Sequence, residues 1–363
     1  MTKSLTGICH ILLLTGLACA PVSGFANSGN SEHSKATISS STGEAMLLAQ
    51  AGSAGKQPMR TLKAAYVTSL SFSPLFRAIE KGYFKDENIA MKLELVRSVS
   101  TATAYLGRGQ LDLGFGSFSD SLLNAMLRGV EVKVVASMSY YAKDPAVLAS
   151  APILVRKQLW DSGEIRKLAD LKGRKVAFNS KGGIVSYIVS KALGRSGLTV
   201  DDLDIVQMRF PDQMVALANG AIAASVLVEP LATAARSKGT AVVLEKNPAP
   251  GSMATVLIFG KNLLVDDEAP TAKAVLRALR RAANELQSPE AIMSDENLAI
   301  WSKYTKIPAP TIKKTAPYMF ARDLAIDVDN LMDQQNYQFK SGNIAKEIPL
   351  DGLIDSRYTV RAH

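Results

Sequence analysis

The sequence predicts an α/β protein built from two similar lobes, and three observations lead to that prediction. Short apolar stretches alternate with helical patterns of about ten residues, which is typical of βαβ units and a mostly parallel sheet. The same succession begins again after residue 170. A constant offset of 111 residues aligns the two halves, so that Ser69 falls on Ser180 and Phe118 on Glu229. Two similar lobes therefore explain the pattern better than one long sheet.

The apolar periodicity predicts the individual elements of each half. In the first half, strands are expected at 62–67, 91–96, 111–115 and 132–137, with helices at 74–82, 101–106 and 119–127. In the second half, strands are expected at 175–178, 204–208, 225–228 and 242–244, with helices at 184–193, 214–217 and 231–235. Residues 145–157 and the apolar strand 254–259 are interpreted as two crossings between the lobes. Two crossings predict a two-segment hinge.

The remaining stretches complete the predicted domain organisation. After the second crossing the pattern is helical, with helices expected at 269–286, 289–304, 310–318 and 328–339. The predicted domains are a signal peptide (1–26), a flexible linker (27–59), a discontinuous first lobe (60–150 and 251–345), a second lobe (151–250) and a C-terminal tail (346–363). The first lobe thus carries a helical C-terminal extension.

The N-terminus indicates export. Lys3 precedes an apolar run at 8–20, and small residues lead to Ala26, a pattern typical of a secretory signal peptide cleaved after that alanine. The run is too short to span a bilayer stably. The linker is rich in Ser, Gly and Ala. We therefore expect a periplasmic protein. A lipid anchor on Cys19 is a less favoured alternative, because Gly16-Leu-Ala is a poor lead-in to a lipidated cysteine.

The composition removes several kinds of chemistry from the predicted body. Both cysteines, Cys9 and Cys19, lie in the predicted signal peptide, and the three histidines are His10, His33 and His363. The body therefore offers no imidazole base, no Cys or Ser–His nucleophile pair and no His-containing metal site. No cofactor and no metal are expected. The net charge is +9. Without a Lys/Arg run interleaved with aromatic residues, no nucleic-acid partner is expected.

Candidate binding residues follow the predicted strands. In open α/β sheets, ligands bind beyond the carboxyl ends of the strands. Hydroxyls and backbone N–H groups there suit a polar head group, and aromatic rings suit an apolar or planar body. The candidates are Ser69, Ser71, Phe72, Ser117, Phe118 and Tyr140 from the first lobe, facing Ser180, Gly182, Gly183 and Glu229 from the second. Each also has a structural interpretation: the serines as helix caps, the glycine pair as a turn, Glu229 as a first-turn carboxylate and Tyr140 as packing at the lobe junction.

The charge of the ligand stays open at this point. Lys181 and Arg209 favour an anion, such as a sulfonate or a nitrate-like ion. Glu229, together with Phe72 and Phe118, favours a polar heteroaromatic compound such as a vitamin precursor.

Five stretches resemble one known family. They are Val67-Thr-Ser-Leu-Ser-Phe-Ser-Pro74, Glu80-Lys-Gly-Tyr-Phe84, Gly109-Gln-Leu-Asp-Leu-Gly114, Leu168-Ala-Asp-Leu-Lys-Gly-Arg-Lys-Val-Ala-Phe178 and Ala216-Leu-Ala-Asn-Gly220. Together they resemble the solute-binding proteins of the nitrate/sulfonate/taurine type, which serve ABC importers. The resemblance covers roughly residues 60–285. One position departs from the family pattern: Ala223 stands where an Asp is usual, whereas the first-lobe counterpart, Asp112, is kept and is expected to be structural.

The resemblance implies both a fold and a function. It implies the type II periplasmic-binding fold, two doubly wound α/β lobes that close on a solute. The expected partners are a small-molecule solute, an ABC permease and, through it, an ATPase, and the expected state is a monomer. A periplasmic sensor or partner module of the same fold is an alternative. The resemblance also extends to pyrimidine-precursor synthases, but those use an active-site histidine that this body lacks, so we expect no enzyme.

Overall fold

The computed structural model describes residues 58–96 and 99–362, and these fold around two β-sheets. The strands in chain order are β1 (Arg60–Tyr66), β2 (Ile89–Leu95), β3 (Leu113–Gly116), β4 (Val132–Tyr140), β5 (Ile153–Arg156), β6 (Lys175–Phe178), β7 (Asp204–Gln207), β8 (Ala224–Val226), β9 (Ala241–Glu245), β10 (Met253–Gly260) and β11 (Met319–Phe320). The predicted signal peptide and all but the last two residues of the predicted linker lie outside the described residues.

Fifteen α-helices surround the sheets in the described part of the chain. They are α1 (Ser73–Glu80), α2 (Tyr83–Asp86), α3 (Val99–Gly107), α4 (Asp120–Leu127), α5 (Lys157–Asp161), α6 (Ile184–Gly194), α7 (Phe210–Asn219), α8 (Leu231–Ser237), α9 (Lys261–Leu264), α10 (Ala269–Glu285), α11 (Pro289–Ile292), α12 (Asp295–Thr305), α13 (Ala309–Ile312), α14 (Val328–Lys340) and α15 (Leu350–Leu353). Short 3₁₀ turns cover 70–72, 168–171, 200–202, 266–268 and 322–324.

The two sheets share one strand order, which supports the repeat predicted from the sequence. The first sheet runs β11-β4-β10-β3-β1-β2 and the second β7-β6-β8-β5-β9. Read from β4 and from β9, the orders correspond strand for strand, with β10 in the place of β5. We call the first sheet with its helices the first lobe and the second sheet with its helices the second lobe. The predicted domain boundaries stay a prediction.

Both sheets are mixed, but four strands of each run in the same direction, β1 to β4 in the first sheet and β6 to β9 in the second, so the expectation of a mostly parallel sheet is confirmed. Strand β10 pairs antiparallel with β3 and β4, and β5 pairs antiparallel with β8 and β9. Among the described strands, β1 pairs parallel with β2 and β3, and β6 pairs parallel with β7 and β8. The sheets are mixed because β10 and β5 each enter their sheet from the other half of the chain and run against their neighbours.

Strand β10 lies between β4 and β3 in the first sheet and contributes to the core of the first lobe. All eight residues of Met253–Gly260 are buried, as expected for a strand covered on both faces.

Asp112 is structural, as expected, because its carboxylate accepts hydrogen bonds from the Lys63 backbone N–H (2.7 Å) and from Asn262 Nδ2 (2.8 Å). This buried carboxylate thus fixes the middle of β1.

The segments between the lobes run side by side. The Tyr141 N–H donates to the Ser252 carbonyl, and the Gly251 N–H donates to the Ala142 carbonyl, both at 3.0 Å. Asn247 Nδ2 also donates to the Ala142 carbonyl at 2.9 Å. These bonds tie the two crossing segments to each other at the edge where the lobes meet.

Two predicted C-terminal helices differ from the structure. The helix expected at 289–304 is broken into α11 and α12, because Ser294 caps a new helix by accepting the Asn297 N–H (3.4 Å). The helix expected at 310–318 ends at Ile312. The chain then extends into β11, where Met319 and Phe320 pair with the end of β4, so tertiary pairing overrides the local helical pattern.

Candidate functional site

A cavity lies between the lobes at the carboxyl ends of their strands. About 40 Å³ of it is accessible to the centre of a water molecule, within about 450 Å³ of empty space that includes open solvent. Gly116, Ser117 and Asn179 come directly after or at the ends of β3 and β6, in the place where α/β sheets bind ligands. The lining residues are Val67, Ser69, Ser71, Phe72, Gly116, Ser117, Tyr141, Asn179, Ile184, Phe210, Val228, Ala254, Thr255 and Tyr318.

The lining residues carry no formal charge. The two cations that the sequence offered for an anionic ligand lie elsewhere: Lys181 is exposed, and Arg209 forms an ion pair with Asp212 at 2.8 Å. The lining is instead made of hydroxyls, one amide, and apolar or aromatic side chains. A fixed charge on a ligand would therefore meet no opposite charged side chain in this wall.

Hydroxyl groups are linked on the first-lobe side of the cavity. Ser69 Oγ accepts the Ser71 N–H at 3.2 Å and caps the short helical turn that follows. The same oxygen lies 3.0 Å from Ser71 Oγ and 3.3 Å from the Tyr318 hydroxyl. Burial raises the pKa of Tyr318. The phenol therefore stays protonated at neutral pH, when it can act as a hydrogen-bond donor.

Aromatic rings form the remaining wall. Phe72 packs edge-on against Phe115 with ring centroids 6.3 Å apart. The rings of Tyr141 and Tyr318 lie 6.4 Å apart and are tilted by 35°. Phe210, the first residue of α7, lines the cavity from the second lobe. Rings from both lobes thus surround the space, as in sites that bind a partly apolar solute.

The second lobe closes on the first beside the cavity. Gly183 directly precedes α6 and lies so close to the first lobe that a Cβ there would be 3.3 Å from Ser117 Oγ and 3.5 Å from Ser180 Cβ. The Asp120 N–H donates to the Gly182 carbonyl at 2.9 Å. A Cβ on Gly182 would overlap the Asp120 carboxyl group, so a larger residue there would require that side chain to move. The predicted glycine pair therefore forms a contact between the lobes.

The structure brings together some predicted site residues and not others. Ser69, Ser71, Phe72 and Ser117 line the cavity, and Ser180, Gly182 and Gly183 lie where the lobes meet. Whether these residues contact a solute stays a prediction. Phe118, Tyr140 and Glu229 do not line the cavity.

Phe118 and Tyr140 point away from the cavity. Phe118 is 2% exposed and belongs to the apolar core that includes Leu106 and Leu122, so the expectation of an exposed aromatic wall at this position is wrong. The Tyr140 hydroxyl donates to the Ala325 carbonyl at 3.0 Å, which places the ring against the C-terminal segment. Neighbouring residues point to opposite sides of an extended chain, and it is Tyr141 that faces the cavity.

Glu229 is buried behind the cavity and caps its own helix. Its carboxylate accepts hydrogen bonds from the Thr233 N–H and hydroxyl (both 2.9 Å) and from the Ala316 N–H (3.3 Å). Arg236 lies 3.7 Å away. Burial raises the pKa of this carboxyl group even though these donors lower it. Both carboxylate oxygens accept hydrogen bonds from within the protein, so the geometry does not support the expected role of Glu229 as a ligand group.

Sequence reasoning missed several lining residues. Asn179 directly follows β6, and Phe210 begins α7 shortly after the end of β7, so their places beyond strand ends were the available signal. The sequence offers both Tyr140 and Tyr141 as candidates to cover a planar body, and of the two it is Tyr141 that lines the cavity. Tyr318 comes from a segment expected to be helical, and nothing local indicated that it would reach the cavity.

The described residues hold no cluster of three or more His, Cys, Asp or Glu side chains that could bind a metal ion. Within the same residues, no helix has the length and apolar character needed to cross a membrane.

Two lobes with this strand order and a cavity at the carboxyl ends of their strands are characteristic of one class of fold. The chain has the fold of the periplasmic solute-binding proteins of ABC importers. Solved structures agree. The alkanesulfonate-binding protein SsuA from Xanthomonas axonopodis pv. citri, bound to MOPS, matches with a TM-score of 0.64 and 18% identity, over 83% of this chain and 98% of that one. The periplasmic nitrate-binding protein NrtA from Synechocystis PCC 6803 matches with a TM-score of 0.62 and 14% identity, over 81% and 84%.

The sequence comparison gives the family. Residues 69–292 match the model described as NMT1/THI5 like, which is more than half of the chain, and the chain belongs to this family. One relative is the 4-amino-5-hydroxymethyl-2-methylpyrimidine phosphate synthase of Aspergillus parasiticus, 28% identical over 135 residues. That match spans 37% of this chain and 36% of the synthase, so it covers about a third of either protein.

Proposed function

We propose that this protein is the solute-binding component of an ABC importer. In this proposal it captures a small solute in the cavity between its lobes and delivers it to a permease that works with an ATPase. The observation that carries the proposal is the cavity itself, which takes its wall from both lobes at the carboxyl ends of their strands. A solute that contacts both lobes stabilises their closed arrangement, and a permease can recognise that arrangement.

The wall favours an uncharged solute with an apolar or planar body. Among the candidate solutes, sulfonates and nitrate carry a negative charge, and the lining residues offer no charged partner for it. Hydroxyl groups, one amide and several rings suit a polar heteroaromatic compound better. Binding of such a compound would remove apolar surface from water and leave its few polar atoms paired with the wall.

The proposal includes export and the absence of catalysis. A signal peptide at residues 1–26 would export the protein to the periplasm, and a monomer is the expected state. A chemical reaction on the bound solute is not expected, because the described residues contain no His and no Cys, and the lining residues contain no carboxylate that could act as a base. Recovery of a chemically altered solute after incubation with the pure protein would contradict this part of the proposal.

A binding screen tests the proposal. Thermal shift followed by calorimetry would compare neutral heteroaromatics, nitrate and sulfonates such as MOPS. We expect at least one neutral compound to bind in the micromolar range or tighter. The Ser117→Phe variant should abolish binding by filling the cavity, whereas Ser237→Phe, at an exposed position in α8, should bind like the parent. Binding that survives Ser117→Phe would place the site elsewhere.

A further inference from the structure

A buried polar atom in the cavity wall has no partner among the described residues. The side-chain oxygen of Asn179, Oδ1, is buried and forms no hydrogen bond with any described residue. Asn179 directly follows Phe178, the last residue of β6, and lines the cavity. Buried polar atoms in native proteins are nearly always paired, so an unpaired one in a binding cavity points to a partner that comes from outside the chain.

Four hydroxyl groups in the wall are already paired, those of Ser69, Ser71, Thr255 and Tyr318. Ser69 Oγ, Ser71 Oγ and the Tyr318 hydroxyl form a linked group. Thr255 Oγ1 lies 2.7 Å from Ser139 Oγ. The hydrogen-bonding capacity of these hydroxyls is partly used within the protein. The Asn179 side-chain oxygen differs from these hydroxyls because it accepts no hydrogen bond from any described residue.

We infer that Asn179 determines which solutes the cavity accepts, because its amide oxygen takes a hydrogen bond from an N–H or O–H group of the solute. This inference rests on the proposed function. In the empty protein a water molecule can donate to this oxygen, and a solute that displaces the water must replace that bond. A solute without a donor at this point leaves a buried acceptor unpaired and is disfavoured by about ten- to hundredfold in affinity.

The same reasoning discriminates between solute classes. Nitrate and methanesulfonate present only acceptor oxygens, so a carbonyl-type oxygen in an uncharged wall would face another acceptor. An amine, amide N–H or hydroxyl on a planar ring meets Asn179 from within the cavity, while the rings of Phe72 and Phe210 cover the body of the solute. The selected property is therefore a hydrogen-bond donor on a compact uncharged solute.

Paired probes test this inference. Each pair differs only in the donor: 4-aminopyrimidine with 4-(dimethylamino)pyrimidine, and 3-(hydroxymethyl)pyridine with its methyl ether. Calorimetry would measure both members, together with nitrate and methanesulfonate, on the parent, Asn179→Asp, Asn179→Leu and the control Asn219→Leu, whose asparagine is exposed at the end of α7. Circular dichroism and the melting temperature would establish that each variant is folded.

We expect the donor-bearing member of a pair to bind the parent about ten- to hundredfold more tightly than its methylated partner. Asn179→Leu should remove that preference, Asn179→Asp should keep it because it retains the acceptor, and Asn219→Leu should leave it unchanged. Equal binding of both members to the parent, a preference that survives Asn179→Leu, or tight binding of nitrate or methanesulfonate would overturn the inference. If neither pair binds while other solutes in the screen do, the inference fails and the proposed function stands. If no solute binds, both fail.

Discussion

Phe118 and Glu229 occupy equivalent positions in the two lobes, and both side chains are used by the fold. Strand β3 and strand β8 each end just before these residues, and a helix follows each of them. In the first lobe an aromatic ring fills the core, and in the second a carboxylate caps the helix. An equivalent position in the repeat therefore predicts the course of the backbone but not the role of the side chain.

Replacing Phe118 by Ala should affect stability rather than binding. The ring is 2% exposed within the core, so its loss should lower the free energy of unfolding by about 3–5 kcal/mol. Chemical denaturation would measure this, with Tyr105→Ala as a control because Tyr105 is 50% exposed. Calorimetry on the folded variant should give a solute affinity close to that of the parent. A large loss of affinity at unchanged stability would show that Phe118 contacts the solute.

Glu229 should make the stability of the protein depend on pH. Burial raises the pKa of its carboxyl group in the folded state above the ordinary value of 4.5. As the pH rises, the unfolded chain therefore releases this proton first. The favourable contribution of the neutral carboxyl is present below the ordinary pKa and is lost as the pH rises through the folded-state pKa.

The Glu229→Gln variant isolates this effect, because other titrating groups are shared with the parent. Relative to the variant, the parent should lose stability as the pH rises from about 4 and should level off once Glu229 is ionised. Denaturant titrations between about pH 3.5 and 7 would measure the difference. A constant difference over this range would mean that the carboxyl has the same pKa in the folded and unfolded chain.

At the scale of elements, helix α14 connects the two lobes. Its Gln334 Nε2 donates to the Met253 carbonyl at the start of β10 (2.9 Å). On another face, Asp333 accepts a hydrogen bond from the Tyr187 hydroxyl (2.6 Å) and forms an ion pair with Lys191 (2.8 Å), both in α6 of the second lobe. Gln338 Nε2 donates to the Gly182 carbonyl at 3.0 Å. The helix therefore holds the second lobe against the first.

Asp333→Asn should weaken this hold and reduce solute affinity about three- to tenfold, because closure would be less favourable. The ion pair is partly exposed and screened by salt, so most of the effect is expected at low ionic strength. Calorimetry at two salt concentrations would measure it. Asp329→Asn, at an exposed position of the same helix, is the matched control. An identical affinity for both variants would mean that α14 does not influence closure.

At the scale of the whole molecule, solute binding should bring the lobes together. In the described residues the chain passes between the sheets twice, from β4 to β5 and from β9 to β10, and motion about these two segments would open the cavity. A solute that contacts both lobes shifts the population towards the closed arrangement.

Spin labels can measure this motion directly, because residues 58–362 contain no cysteine. Lys92→Cys in the first lobe and Lys238→Cys in the second are both at exposed positions. We expect pulsed dipolar spectroscopy to give a broader and longer distance distribution without solute than with it. A pair placed within one lobe, Lys172→Cys with Lys238→Cys, should not change. An unchanged distance between the lobes on saturation with a binding solute would contradict hinge closure.

The sequence by itself determined the class of fold, the repeat and the regions that form the cavity. Apolar periodicity and glycine stops are local properties, and they predicted most strands and the 111-residue correspondence that the two sheets share. Strand ends such as Ser69 and Ser117 were found because ligands gather there in any α/β sheet.

Only the tertiary structure decided which side chains face the cavity and which charges are already used. Phe118 turns into the core, Arg209 pairs with Asp212, and Glu229 is occupied by Thr233. Tyr318 reaches the cavity because its segment pairs with β4. The physical reason is that hydrogen-bond partners and burial depend on residues far apart in the chain, so a pattern that is read locally cannot assign them. The unpaired oxygen of Asn179 likewise became visible only once every nearby partner had a position.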